Sequence, residues 1–451
     1  MKMNRKLVTA LFATAMVFGA SSQLSAQRVW TLQECIDYAV KNNVQLQKSR
    51  AAEQTSAINV LEAKAARLPS LSGSISQSLT YRPFQESSSN FVNGGIATSA
   101  ADKATESGSY GVNAQWTVWN GNKTKMNIQN AEMNQQLAEL DTQQSANSIK
   151  EQIAQLYTQI LYMTEAEKVN RTLLTQDSIV LARGEEMVSV GQLAQADLAQ
   201  LKSQVSQGRY DIVNVQTQIA DAKMQLKQLL ELPATEDFDV VSVDVTTSEV
   251  LSQIPSKASV YAAALDSRPE VKRSQLAIDQ SKLATKIAKA GYYPTISLMG
   301  GLGDSHMTGA TNSFFNQMKQ NFNAQVGVSV SIPIFDNRQT KSAVERAKVA
   351  ETTAQLDLVD TQKQLYKSVE TYWLNATNSQ AKYIAASDNV ENLQTSYGLM
   401  NEQFKVGLKN IAELLTSRAS LLNAQQTMLQ DKYTAYLNRN LLNFYAGEEL
   451  K

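Results

Sequence analysis

Catalysis and metal binding need convergent donors, and this 451-residue chain offers few. His306 is its only histidine. A multi-histidine metal site is therefore excluded, and histidine-dependent catalysis would rest on one residue in a predicted loop. Cys35 is the only cysteine, so no intramolecular disulfide is possible, and it reads as a buried structural thiol. No glycine loop that could cradle phosphate is present, nor any convergent acid, base and nucleophile. These residues predict no enzyme, no cofactor and no metal.

Charge excludes another class. The chain balances 42 basic against 42 acidic residues, and nucleic-acid binding would call for a basic face. At the N-terminus, Lys2, Arg5 and Lys6 precede an apolar run from Leu7 to Ala20, and Leu24-Ser25-Ala26 offers small residues for cleavage. That pattern predicts a secretory signal peptide over residues 1–26, too short for a membrane span. The protein is expected to be exported.

The largest element runs from Asn120 to Leu232 without a proline. Leu198, Leu201, Val205, Gly208, Ile212, Val215, Ile219, Ala222, Leu226 and Leu229 recur at alternating steps of three and four, the seam of a coiled coil. Ile149, Ile153, Leu156, Ile160 and Met163 keep the same beat on the first arm. Val190-Gly191-Gln192-Leu193 lies between the arms, where a glycine can reverse the chain. The reading is a long helical hairpin whose first arm, Asn120 to about Met187, would reach roughly 100 Å at 1.5 Å per residue.

Before it, Thr31-Leu32-Gln33-Glu34 forms a capping box, and a second helical stretch ends before Pro69. From Leu71 the period becomes two. Leu71, Gly73, Ile75, Leu79 and Tyr81 alternate with Ser70, Ser72, Ser74, Ser76, Ser78 and Thr80. A predicted loop over 83–108 separates this strand from Tyr110, Val112, Ala114, Trp116 and Val118.

The plan then recurs. Ala288 to Pro294 repeats Ala63 to Pro69 at an offset of 225, whereas Phe335 follows Trp119, and Gly407 follows Gly191, at 216. The chain is read as an internal duplication, mainly α-helical with mixed α and β parts. The first repeat covers 27–232, with strands about 70–82 and 109–119 and a hairpin over 120–232. A connecting segment covers 233–257. The second repeat covers 258–451, with strands about 294–303 and 323–335 and a hairpin over 336–446.

Four strands with one apolar face cannot stand alone in lipid, because open edges leave backbone groups unpaired. Strand length matches the 9–11 residues of a membrane-spanning strand. Tyr81, Tyr110 and Phe322 stand at the loop ends, with Trp116, Trp119, Tyr293 and Phe335 at the helix ends, resembling the two aromatic girdles of a barrel. A soluble sandwich would use the same inner face, but its outer face is normally more charged than these serines. Because single-chain barrels start at about eight strands, the barrel must be shared among subunits, more than two being preferred. Helices with one apolar seam and polar flanks suit a tube wetted on both sides.

These features together resemble the TolC family of outer-membrane efflux proteins across the whole mature chain. The most specific pieces are Pro333-Ile334-Phe335-Asp336-Asn337-Arg338 followed by Ser342-Ala343-Val344-Glu345, and the turns Val190-Gly191 and Val406-Gly407-Leu408. The resemblance implies a homotrimer: a 12-stranded outer-membrane β-barrel, four strands per chain, continuing into a periplasmic α-helical barrel. It also implies a periplasmic adaptor and an inner-membrane transporter as partners, and makes 233–257 equatorial. Carried over position by position, it places a periplasmic gate at Asp197 and Glu413, six residues past each turn glycine, with Lys409 beside them. Phe404 stands where the family example has tyrosine, and Thr416 replaces a second acid. The tips Val190, Gly191, Leu193, Val406, Gly407 and Leu408 are the implied docking points for the adaptor. The competing reading is an adaptor-like or structural coiled-coil protein of the envelope, without a channel.

Overall fold

The computed structural model describes residues 28–84, 87–92, 95–100, 102–308 and 312–450. The predicted signal peptide lies outside them. The chain forms two compact units, one from the described residues up to Gln47 with Ser145–Ala264 and Tyr366–Lys451, the other from Lys48–Gln144 with Leu265–Leu365.

Helices dominate. In chain order they are α1 (Leu32–Asn42), α2 (Val44–Ala65), α3 (Lys123–Ser189), α4 (Gln195–Leu229), α5 (Thr247–Val250), α6 (Lys257–Ser267), α7 (Pro269–Lys289), α8 (Phe314–Asn321), α9 (Gln339–Lys405) and α10 (Ile411–Tyr445). The long arms α3 and α9 have 67 residues each, and the returning arms α4 and α10 have 35 each. Thr31 caps α1, with its side chain and that of Glu34 exchanging hydrogen bonds in a capping box.

Within the first unit, strand β1 (Arg28–Trp30) pairs in parallel with β6 (Phe238–Val240). Trp30 is buried edge-on to Tyr38, and the Tyr157 hydroxyl donates to the carbonyl of Val241 at 2.9 Å. Cys35 is fully buried, and burial pushes its thiol up to about 12, which leaves it protonated and unreactive. The seam of α4 is buried through Leu198, Leu201, Val205, Gly208, Ile212, Ile219, Ala222 and Leu226, as the three–four spacing requires. Most of the helical stability of such arms comes from packing of this face rather than from propensity.

The second unit holds a four-stranded antiparallel sheet ordered β2 (Ser70–Tyr81), β5 (Ala104–Trp119), β7 (Thr295–Met307), β8 (Asn323–Ser331). The pairing register sets two faces. Ile75, Tyr110 and Asp304 lie in one row, Gly73, Val112, Leu302 and Ala324 in the next, then Leu71, Ala114, Gly300 and Val326, and then Trp116, Leu298 and Val328. The opposite face presents Ser72, Asn113, Gly301 and Gln325, with Ser74, Gly111, Gly303 and Asn323 beside them. One face is mainly apolar, with Glu106 and Asp304 toward its loop end, and the other is mostly polar and uncharged; neither is covered in the single chain. The outer strands β2 and β8 leave one edge each without a partner in this sheet.

Several expectations are corrected. The predicted loop over 83–108 contains a β-hairpin, β3 (Ser87–Val92) paired with β4 (Gly95–Ala100), and β5 begins at Ala104 rather than 109. Strand β7 continues to Met307, so His306 sits in a strand and not in a loop. Strand β8 stops at Ser331 instead of 335, because Pro333 has no N–H to give the ladder. Phe335 therefore lies outside the sheet, exposed. Beyond β8 the edge of β7 is covered by α8, whose Gln317 and Asn321 side chains bond the backbone of Met307 and Ser305.

Candidate gate and membrane-facing surfaces

The hairpin tips are built alike from backbone. Gly191 has φ 77° and Gly407 φ 76°, the left-handed conformation that glycine adopts without strain. At each tip two hydrogen bonds close the helix: Gln192 N–H to Met187 C=O and Gly191 N–H to Val188 C=O, then Leu408 N–H to Gln403 C=O and Gly407 N–H to Phe404 C=O. Both are Schellman motifs, which satisfy the last carbonyls of α3 and α9. Val190, Val406 and Leu408 project outward with 67%, 70% and 75% of their surface exposed. Leu193 instead packs against the buried cluster above the tips.

Side chains distinguish the two returns. At the second, Asn410 caps α10 and forms a capping box with Glu413. Lys409 Nζ donates to Glu413 Oε1 at 2.8 Å. The Lys409 ammonium, with the Asn410 backbone N–H, holds the Glu413 carboxyl below its usual range. At the first, the cap position is Ala194, which has no side-chain bond, and Asp197 lies in the first turn without an ion pair among the described residues. An acidic residue in the first turn interacts favourably with the helix N-terminus. Thr416 is exposed and bonds back to the Ala412 carbonyl at 2.8 Å.

Phe404 does not line a surface. Only 2% of it is exposed, within a cluster that includes Val180, Leu201, Ile411 and Leu414. Phe404, which the resemblance placed at the gate, is thus buried within the single chain, where a side chain without a hydroxyl needs no polar partner.

A polar layer inside that cluster was not foreseen. Arg418 Nη2 lies 2.7 Å from Asp177 Oδ2, and its Nε donates to Oδ1 at 3.1 Å, with both side chains almost fully buried. Burial pushes the Asp177 carboxyl up, opposed by Arg418 and a hydrogen bond from Gln204. The spacing did carry a signal. Arg418 falls in phase with Ile411, Leu414 and Leu421, and Asp177 with Leu173 and Val180, so both charges occupy seam positions.

The aromatic residues separate by face. Tyr81, Tyr110 and Trp116 share the apolar face by register. Trp119 joins them because a bulge between Thr117 and Trp119 restores its phase opposite Ile296, and its ring meets Tyr293 edge-on at 6.2 Å. Trp116 Nε1 donates to the Arg67 carbonyl at 2.7 Å. Tyr293 and Phe322 flank strand ends and are exposed. His306 is buried between Tyr110 and Phe314. Among the described residues no cluster of ligating side chains could hold a metal, and no helix is long and apolar enough to cross a membrane.

A sheet of membrane-length strands with an exposed apolar face, joined to paired coiled-coil hairpins, has the build of an outer-membrane export channel. The comparisons with known proteins give the family. The sequence model described as "Outer membrane efflux protein" matches residues 35–231 and 260–448, and the chain belongs to that family. Outer membrane efflux protein BepC of Brucella suis is 22% identical over 420 residues, covering 89% of this chain and 82% of the relative. Outer membrane protein TolC of Escherichia coli K12 is 23% identical over 184 residues, covering 38% of this chain and 37% of the relative. Among solved structures, the outer membrane protein VceC of Vibrio cholerae matches with a TM-score of 0.77 at 16% identity, over 93% of this chain and 97% of that one. The open state of the Neisseria gonorrhoeae MtrE outer membrane channel matches at 0.75, 16% identical, over 93% of this chain and 89% of that one. The protein is a channel of the outer membrane, extending into the periplasm, and its family is one of transport proteins rather than enzymes.

Proposed function

We propose that three copies of the chain close their four-stranded sheets into one 12-stranded barrel, with the helical arms forming a tunnel below it. The assembly is the exit duct of a tripartite efflux or type I secretion system, passing cargo from an inner-membrane pump to the exterior. The observation that carries this reading is the sheet itself. Its strands have membrane length, its apolar face is uncovered, and its edges β2 and β8 have no partner in the sheet, a combination that only pairing with further copies makes stable in lipid. The uncharged serine, asparagine and glycine face then lines the pore.

The duplication is part of the proposal. Arms of equal length, left-handed glycines 216 residues apart at both tips, and a family match in two stretches support two repeats over 27–232 and 258–451, joined by 233–257. We assign the periplasmic mouth to the two returns, with Asp197, Lys409, Glu413 and Thr416 facing it. The exposed Val190, Val406 and Leu408, carried by Gly191 and Gly407, are the contact for a periplasmic adaptor; Leu193 braces the first tip from inside. Tyr110 and Phe322 stand near one lipid boundary and Trp116, Trp119 and Tyr293 near the other, whereas Tyr81, six residues along β2 from the row of Tyr110, and Phe335, outside the sheet, fall beyond these rows.

Relatives are named for cation efflux and for alkaline protease secretion, and a wetted conduit needs no dedicated substrate pocket, so we leave the choice of cargo to the pump. The test is purification in detergent, followed by mass measurement and planar-bilayer recording. A trimer conducting with cation preference is expected, and that preference should fall in Asp197→Ala/Glu413→Ala. A soluble monomer would overturn the channel.

A further inference from the structure

Strand β7 outruns its neighbour. Its pairing with β8 ends at Gly303, whereas its pairing with β5 continues to Met307, so Asp304–Met307 have no strand of the sheet on their other edge. Helix α8 covers that edge instead. Gln317 accepts from the Met307 N–H at 2.9 Å and donates to the Met307 carbonyl at 3.0 Å, and Asn321 Nδ2 donates to the Ser305 carbonyl at 2.6 Å. At membrane depth, where water is scarce, such bonds satisfy backbone groups that would otherwise be stranded.

The same helix is divided by polarity. At 3.6 residues per turn, Phe314, Phe315 and Met318, with Phe322 just past the end, fall within about 100° of its circumference. Gln317, Gln320 and Asn321 occupy the other side, and two of these three are the residues bound to β7. The polar side is therefore tied to the sheet edge. Phe315 is 82% exposed and Phe322 59%, an arrangement that costs free energy if the stripe faces water.

Two contacts make this stripe continuous with the apolar face of the sheet. Phe314 stands edge-on to His306 at 4.7 Å, and His306 stacks on Tyr110. Phe322 shares a groove with Ile75, Tyr110, Val112 and Leu302. In the barrel described above that face meets lipid, and its loop end is the outer one. Lys319 borders the stripe, where its long stem can carry the ammonium toward water.

We propose that α8 is a membrane-interface helix. Phe314, Phe315, Met318 and Phe322 enter the boundary of the outer leaflet, while Gln317 and Asn321 hold the helix on β7. The occupant of the stripe is lipid. The helix thereby sets the depth of the rim at the point where β7 has no strand beside it. This inference rests on the channel reading.

The experiment uses the full-length protein folded into phosphatidylcholine vesicles. Cys35 is buried and protonated, so a bimane label takes only an introduced thiol. Phe315→Cys puts the label on the stripe, Asn316→Cys on the polar side, and Val326→Cys in the middle of the sheet. With lipid brominated near the headgroup end of its chains, emission from Phe315→Cys should fall by about half, and from Asn316→Cys by under about a tenth. Aqueous iodide should give the opposite order. Equal quenching at the two positions, or iodide quenching of Phe315→Cys with none from brominated lipid, overturns the anchor and turns the stripe toward water or a protein. Val326→Cys separates the two readings, since lipid brominated deep in its chains should quench it. If it is quenched and Phe315→Cys is not, only this inference falls. If it is not quenched, the channel reading falls, and the comparison of Phe315→Cys with Asn316→Cys still decides whether α8 meets lipid.

Discussion

Lysine placed at neighbouring positions of β8 tests which face meets lipid. Val326 belongs to the row of Leu71, Ala114 and Gly300, in the middle of the mainly apolar rows that run from Ile296 to the row of Ile75, Tyr110 and Asp304, and is 90% exposed in the single chain. Those rows extend about 27 Å along the strand, or about 20 Å across a bilayer at a barrel tilt near 40°, close to the apolar band of known barrels. Val326→Lys therefore puts a charge near the bilayer midplane, at a cost of about 2–4 kcal/mol. At 1.36 kcal/mol per decade, the folding equilibrium should drop by a factor of roughly 30–900. Gln325→Lys, one residue away, points to the opposite face beside Asn113 and Gly301 and should cost under about 1 kcal/mol, since water solvates it there. The assay is urea titration of folding into vesicles of defined lipid, with reversal potentials from single channels as a second readout. Gln325→Lys should lower cation preference, and Val326→Lys should leave it unchanged in whatever fraction folds. Equal costs at the two positions, or a larger one at Gln325, would refute the face assignment and favour a soluble sandwich.

Three further outcomes are expected. At Gly407 and Gly191 an added Cβ meets nothing within 4 Å, so alanine pays for the positive φ alone, about 1–2 kcal/mol, and amide exchange at the altered tip should quicken about five- to thirtyfold while Gly407→Asn changes it less. The Glu413 carboxyl has a folded pKa below its unfolded value, so its cap on α10 is fully present above the ordinary glutamate range and is lost as pH falls through the lowered value; over that fall exchange protection of Ile411–Leu414 should drop more than that of Gln195–Leu198, where Ala194 provides no side-chain cap. Since Lys409 already offsets Glu413 while Asp197 has no ion partner among the described residues, Asp197→Ala should reduce cation preference in planar bilayers more than Glu413→Ala, and the reverse order would remove Asp197 from the mouth.

Periodicity made the large elements legible. Serine or threonine at every even position of β2 puts every odd side chain on the other face, and a seam stepping by three and four admits only a helix. What escaped was decided by partners distant in sequence. The segment Phe314–Asn321 is mostly polar, and it is ordered as α8 by carbonyls and an amide of β7 that have no strand beside them. The β3–β4 hairpin lies in a stretch of serine, asparagine and glycine whose composition signals a turn more strongly than a strand. The phase of Trp119 depends on a one-residue bulge, which strict alternation cannot anticipate.

The site divides along the same line. Backbone requirements at the tips, glycine for positive φ and Asn410 with Glu413 for the cap, are local and were open to inspection in the sequence. Phe404 shows the limit of carrying a position across a family. With tyrosine a hydroxyl must find a polar partner, whereas phenylalanine gains only by burial, and the same backbone position then serves the core. Arg418 and Asp177 show the converse. Charges on long helices are usually solvated, so each alone attracts no notice, yet both stand in phase with the buried seam, where an unpaired charge could not remain. Two opposite charges out of place on two seams imply each other, and their pairing joins the first hairpin to the second, as Glu165 with Lys432 and Tyr433 does farther along the same arms.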